Sequence, residues 1–395
     1  RMDATLQIGA GALAPNPAAR PIPFDGARTY FTYLPETRVL RFDEIAVRSP
    51  LGEVLAEGQA RLDPSDSGLP GGLWAQMRLT RVATAGGAVL ERDVTVDGAQ
   101  ATFRLSLDPF RVDLGSLRVM DPGLPVRASG LLRAGEDGWA LSLDARAART
   151  DVAQVLSLWP DGLRPQARDW VSRHVRAAVA EDAVVAIRAR QGRRPLTHLD
   201  MRFRDAQVAY SLKLPEIAGG AGRLTISDDR LAVRLDEGRI ETGGGPVDIA
   251  GSAFVIPDLE RRGGPGTVTL RAEGSARAAL SYLDNPSWRL LEKAGRGPDL
   301  LEGRAELAGR ITLPLRKGVR RADVALDLSG TLSDVESDRL VAGRTLTAET
   351  LRLAVDDTAV RVSGPVNFDG VAADVTWRRP MEADAGATVE GTVTL

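Results

Sequence analysis

Few residues in this chain are equipped for chemistry. Histidine occurs twice, as His174 and His198. His198-Leu199-Asp200 sets a carboxylate two residues from an imidazole, but one His and one Asp fall short of the three or four ligands a metal site needs. Both histidines therefore read as structural. Cysteine is absent, which removes disulfides, thiolate metal sites and a thiol nucleophile together. The acid pairs Asp228-Asp229 and Asp356-Asp357 would suit a glycosidase only if they flanked a sugar. Each sits instead in turn-forming sequence and reads as a solvated turn. Gly219-Gly220-Ala221-Gly222 and Gly243-Gly244-Gly245-Pro246 join strand to strand rather than strand to helix, so they read as turns and not as phosphate cradles. No G-x-S-x-G, phosphate-loop or H-E-x-x-H pattern occurs. No catalytic residue, metal or cofactor is expected.

Composition narrows the alternatives. Over 395 residues, 43% are hydrophobic and 26% charged, the balance of a folded chain. Aromatics are 5%, so packing must rest on Leu, Val, Ile and Ala. Acids and bases nearly cancel to −2, and the scattered aromatics are not interleaved with a basic patch, which argues against nucleic acid as a partner. All but three of the 51 basic residues are arginine. No apolar run reaches the 18 residues of a membrane-spanning helix. Lack of cysteine fits an oxidising compartment. The chain opens at Arg1 and stops within Thr-Val-Thr-Leu, so it reads as part of a longer protein.

The elements that must position any site are strands. Leu231, Val233 and Leu235 alternate with charged residues, and so do Val324, Leu326 and Leu328. Leu351, Leu353 and Val355 follow the same period, then Val360 and Val362, then Val366 and Phe368. Turn signals at Ser227-Asp228-Asp229, Asp356-Asp357 and Asp369-Gly370 fall between them. The first 147 residues continue in this style after a Gly/Pro-rich lead-in at 9–27, expected to be extended or mobile. Two helical insertions break the rhythm, at 148–183 and about 275–294. The first holds a segment from Thr150 and a second helix starting at Pro165. The plan is thus a mainly β, antiparallel meander in two β segments, 1–147 and 184–395, with one apolar face. Period-two alternation cannot decide whether that face fills a sandwich or lines an open trough.

An ordered series of segments resembles the YhdP-type proteins of the AsmA-like superfamily, which also includes TamB. It begins with Leu40-Arg41-Phe42-Asp43-Glu44-Ile45. Trp159-Pro160 then precedes Leu163-Arg164-Pro165-Gln166-Ala167-Arg168-Asp169-Trp170-Val171. Leu199 to Ala206, Leu214 to Gly220, Val247 to Ser252, Ser281 to Pro286 and Gly303 to Leu315 follow in order. The similarity covers roughly residues 35–380, and no single motif in it is specific. It departs at Val175 to Asp182, where the family places glycine and this chain has Ala177-Ala178.

The resemblance implies a strongly curved, taco-like β-groove in the periplasm, with an inner-membrane anchor in the full-length protein. It also implies phospholipids as cargo, carried between inner and outer membrane, and membrane proteins as possible partners. A long acyl tail exposed to water costs on the order of 10 kcal/mol, at about 0.8 kcal/mol per CH₂, and an apolar trough would remove most of that barrier. About twenty strands at roughly 4.8 Å each would extend such a trough to about 100 Å. The expected lining is Leu231, Val233, Leu235, Val324, Leu326, Leu328, Leu351, Leu353, Val355, Val360 and Val362. The competing expectations are a non-catalytic scaffold for outer-membrane biogenesis with a filled β core, and a glycan-active enzyme with a carboxylate pair in a polar cleft.

Overall fold

Alternating aliphatic residues form strands along most of the chain. The computed structural model describes residues 1–64, 70–84, 94–120, 125–159, 164–211, 214–227, 229–286, 289–293, 295–341, 343–381 and 387–393, with the backbone alone at 94, 290, 293 and 393. Pro160, Leu163 and Asp228, each used in the sequence reading, lie outside these. The protein is mainly β, and among the described residues 23 strands belong to one large antiparallel sheet. Packing divides the chain into two units, 1–173 with 179–201, and 174–178 with 202–395.

Unit 1 contains β1 (Met2–Ile8), β2 (Gly11–Leu13), β3 (Ile22–Phe24), β4 (Gly26–Leu34), β5 (Val39–Ser49) and β6 (Gly52–Leu62). It continues with β7 (Gly72–Thr84), β8 (Val94–Val96), β9 (Ala99–Leu107), β10 (Phe110–Val119), β11 (Val126–Gly135) and β12 (Gly138–Asp151). β1 pairs with β4, and from β4 each strand pairs with the next, except that β7 pairs with both β8 and β9. The lead-in 9–27 holds β2 and β3, a separate two-stranded ribbon. It is fastened by side chains: Trp139 Nε1 donates to the Arg20 carbonyl (2.7 Å), and Gln191 Oε1 accepts from the Arg20 N–H (2.8 Å).

α1 (Val152–Leu158) starts at an Asp151 N-cap whose carboxylate accepts from the Gln154 N–H, while Gln154 Oε1 accepts from the Asp151 N–H. α2 (Pro165–His174) starts at its proline. β13 (Val175–Arg190) follows at once, so residues 175–183, read as part of the helical insertion, are strand. No glycine stop is required there, because the His174 carbonyl accepts from the Ala209 N–H (2.8 Å).

β14 (Leu196–Val208) leads into the remaining strands of unit 2: β15 (Ile217–Ser227), β16 (Arg230–Thr242), β17 (Gly245–Asp248), β18 (Ala253–Ile256) and β19 (Pro265–Ser275). After them come β20 (Glu302–Pro314), β21 (Ala325–Val341), β22 (Arg344–Asp356), β23 (Ala359–Phe368), β24 (Val371–Pro380) and β25 (Thr388–Val393). Between β19 and β20 lie α3 (Ala276–Leu283), capped by Ser275, and the short α4 (Leu290–Lys293). The turn expected at Gly219–Gly222 is instead the interior of β15. Its pairing with β16 shifts register between Ala218 and Gly222, and Gly219 has φ +61°, so the glycines form a bulge.

At Gly222 a Cβ would meet the Arg234 carbonyl oxygen, so the two backbones touch there. Gly243, in the turn before β17, has nothing within 4 Å of its virtual Cβ. Gly222→Ala is expected to destabilise the protein by about 1–3 kcal/mol, the usual cost of forcing a backbone shift, and Gly243→Ala by less than about 0.5 kcal/mol. Thermal denaturation of both variants checks this.

Candidate functional site

Pair register turns the alternation into rungs that cross the strands. In unit 2 one rung reads Leu224, Val233, Phe254, Val268, Ile311 and Leu326. The next, about 7 Å along the strands, reads Leu270, Gly309, Leu328, Val355 and Val360. A third runs Ala272, Leu307, Gly330, Leu353, Val362, Trp377 and Val389. The rung between the last two, on the opposite face, is Arg271, Ala308, Ser329, Ala354, Arg361 and Arg378. One face is therefore oily across many strands and the other wet.

Ten of the eleven residues expected as lining lie on this ladder. Leu231 stands between Ile226 and Ile256, Leu235 opposite Gly222, and Leu351 opposite Leu332. Val324 is the exception. It ends the single turn Arg321–Asp323 before β21, donating its N–H to the Arg321 carbonyl (3.1 Å). Asp323 winds that turn by accepting the Arg320 N–H (2.9 Å), which with Arg316 and Arg320 nearby holds its carboxyl below the ordinary range. Of the ten, Leu328 and Leu351 are buried, and the other eight are half-buried.

Two parts of the oily face were not among the expected residues. Val335, Leu346, Ala348, Val366 and Ala373 form, with Leu351, the buried cluster of unit 2, against which Leu332, Phe368 and Val375 pack. Unit 1 carries a comparable rung: Tyr33, Leu40, Ala60, Ala75, Phe103, Leu114, Gly130, Leu143 and Ile187. The signal for unit 1 was present as alternation in 39–62, 102–107 and 138–143.

The covering of this face is thin. No large side chain among the described residues is completely buried, and the most buried positions are alanines such as Ala60, Ala75, Ala278 and Ala359.

Several polar groups in unit 2 have structural partners, whereas the Ser281 Oγ is buried without a hydrogen-bond partner. A cavity of about 310 Å³ is lined by Glu241, Thr242, Ser281, Asp284 and Asn285 among others. Asp284 Oδ1 accepts the N–H groups of Leu291 (2.9 Å) and Glu292 (3.0 Å), and Glu241 pairs with Arg239 (2.5 Å). Tyr210 and Tyr282 share a hydrogen bond between hydroxyls (2.9 Å), and burial pushes both phenols up. Among the described residues no cluster of three or more metal-ligating side chains occurs. None of their helices is long and apolar enough to cross a membrane. No family model, curated protein or solved structure matches this chain.

The turn between β22 and β23 sets Leu353 against Val362 and Val355 against Val360. Its pin is Asp356, which accepts from the Thr358 hydroxyl (2.5 Å), the Thr358 N–H (2.7 Å) and the Ala359 N–H (2.9 Å), and pairs with Arg361 (2.5 Å). The Thr358 hydroxyl, then Arg361, hold its carboxyl far below the ordinary carboxylate range. Such a group stabilises the fold above the unfolded-state value of about 3.9 and ceases to do so as pH falls toward its native value. Asp356→Asn is therefore expected to melt at lower temperature than the parent at pH 7, with the gap closing as pH drops below about 4. Melting curves between pH 7 and pH 2 measure it.

Proposed function

We propose that the oily face lines an open groove and that the protein is a periplasmic module of a bridge-like lipid carrier. In this reading it shields phospholipid acyl chains in transit between inner and outer membrane. The observation that carries the reading is the set of continuous apolar rungs, most of whose larger side chains stay half-buried. A half-buried leucine keeps apolar area in contact with water, and each methylene of an acyl chain laid against it gains about 0.8 kcal/mol. The polar opposite face keeps the sheet wettable, and an open side would leave headgroups hydrated.

The carboxylates that a glycan-active enzyme would need are engaged elsewhere: Asp284 caps α4 and Glu241 is ion-paired. A scaffold with a filled core would draw on the cluster around Val335 and Leu351. It lacks the completely buried large side chains that such a core contains. The resemblance to the AsmA-like superfamily supplies the compartment, the anchor and the lipid class. The sequence carries no phosphate-loop motif, so in this reading direction falls to partners or to a gradient.

Lipid mass spectrometry of the purified chain tests the proposal. Phospholipid should copurify with the parent, and Val233→Asp or Leu326→Asp should reduce it at least about tenfold by setting a charge in the oily rung. Ala232→Asp, on the same strand but the opposite face, should leave it unchanged. Parent protein free of lipid, or equal loading of Val233→Asp and Ala232→Asp, would sink the groove and leave the scaffold.

A further inference from the structure

The wet face of unit 1 carries a charge pattern that the groove does not use. Register places Arg118 directly opposite Arg127, and Arg127 directly opposite Arg146, on β10, β11 and β12. Directly opposed side chains in an antiparallel pair have Cβ atoms about 5 Å apart, and like charges there are mutually repulsive. Some arginines on this face are compensated. Arg111 pairs with Asp113 (2.6 Å) and Arg188 with Asp144 (2.8 Å). Arg118, Arg127 and Arg146 are exposed and take part in no ion pair among the described residues. Arg133 and Arg190 lie on the same face, likewise without an ion pair among those residues. In a chain whose net charge is −2, this is a concentrated cationic field.

The same face also presents Trp74, 45% exposed, with Arg61 and Arg104 directly opposite it on either side. An exposed indole among arginines matches the amphipathic chemistry of a headgroup layer. The three arginines are exposed, so one small anion would meet them in open water, where ion pairs are weak. A surface dense in phosphate would engage all three at once and relieve their repulsion.

We propose that the Arg118–Arg127–Arg146 rung docks unit 1 on an anionic lipid bilayer by binding its headgroup phosphates. The site lies on the face opposite the oily rungs. It stands or falls separately from acyl-chain binding.

Vesicle flotation of the full chain at low salt provides the test. Vesicles of equimolar phosphatidylglycerol and phosphatidylcholine should carry the protein, and phosphatidylcholine alone should not. Each arginine removed should weaken binding about fivefold, so Arg118→Gln with Arg127→Gln and Arg146→Gln should weaken it roughly a hundredfold. The same loss of charge from unit 2, by Arg304→Gln with Arg310→Gln and Arg352→Gln, should leave binding within a fewfold. Arg127→Gln alone should melt no lower than the parent at low salt, because it relieves repulsion, and this separates lost binding from lost folding. Equal flotation on both vesicle types would overturn the proposal, as would equal weakening by the two triple variants. Displacement by millimolar inorganic phosphate at constant ionic strength would assign the rung to free anions and overturn the bilayer.

Discussion

Everything in this fold depends on keeping register. Strand side chains alternate with a period of two, so a slip of one residue would carry every leucine to the wet face. The protein nevertheless contains phase changes, and it keeps the face continuous by making them jointly across paired strands. In β21 the oily positions are Leu326, Leu328 and Leu332, then, past Asp334, Val335 and Ser337. Asp334 takes a left-handed conformation (φ 51°), which Asp adopts more readily than most residues. In β22 the phase changes between Ala348 and Leu351, and Val335 still faces Ala348 while Leu332 faces Leu351. β5 differs in making its change alone: Phe42 faces Gly58 and Ile45 faces Ala56, so one extra residue bulges from β5 while β6 keeps its phase.

These bulges mark the limit of what the amino-acid pattern reveals. Strict alternation identifies Leu231, Val233 and Leu235, or Leu351, Leu353 and Val355, and ten of eleven such residues do share the oily ladder. It fails where the phase moves. Val335, Leu346 and Ala348 look out of step with Leu328 until Asp334 is seen to absorb one residue, and they prove to be among the most buried side chains of unit 2. The same blindness turned Gly219–Gly222 into a turn, since a bulge and a turn use the same residues. Val324 fits the alternation but is lost to a one-residue competition, because the Asp323 carboxylate winds the chain just before it. Helix starts were easier: Pro165 opens α2 and Ser275 caps α3 through the Ala278 N–H (3.0 Å).

Small residues occupy the tightest positions for a reason tied to the geometry of a sheet. Lateral neighbours within a sheet can enclose an alanine methyl, as at Ala75 and Ala359, but they cannot enclose a leucine from above. Complete burial of a large side chain requires a second layer. The sheet is therefore held chiefly by its ladder and by side-to-side contacts along rungs, while the outer halves of Leu326, Leu353, Val360 and their neighbours contribute little. That unspent apolar area is what gives an acyl chain a partner in the proposed groove, and in its absence it is an aggregation hazard.

The two faces also constrain each other. A phospholipid whose tail lay on the oily rungs could not set its own phosphate on Arg118, Arg127 and Arg146, because a layer of backbone separates them. If both surfaces bind lipid, they bind different molecules: the inner face tails already withdrawn from a bilayer, the outer face headgroups still within one. Their physical signatures differ accordingly. Attraction of arginines to headgroups is screened over a Debye length of about 8 Å at physiological salt and fades as salt rises. Burial of tails depends on apolar area and does not fade. A protein of this construction would keep its cargo at ionic strengths that release it from the membrane, so loading and docking are separable by salt alone.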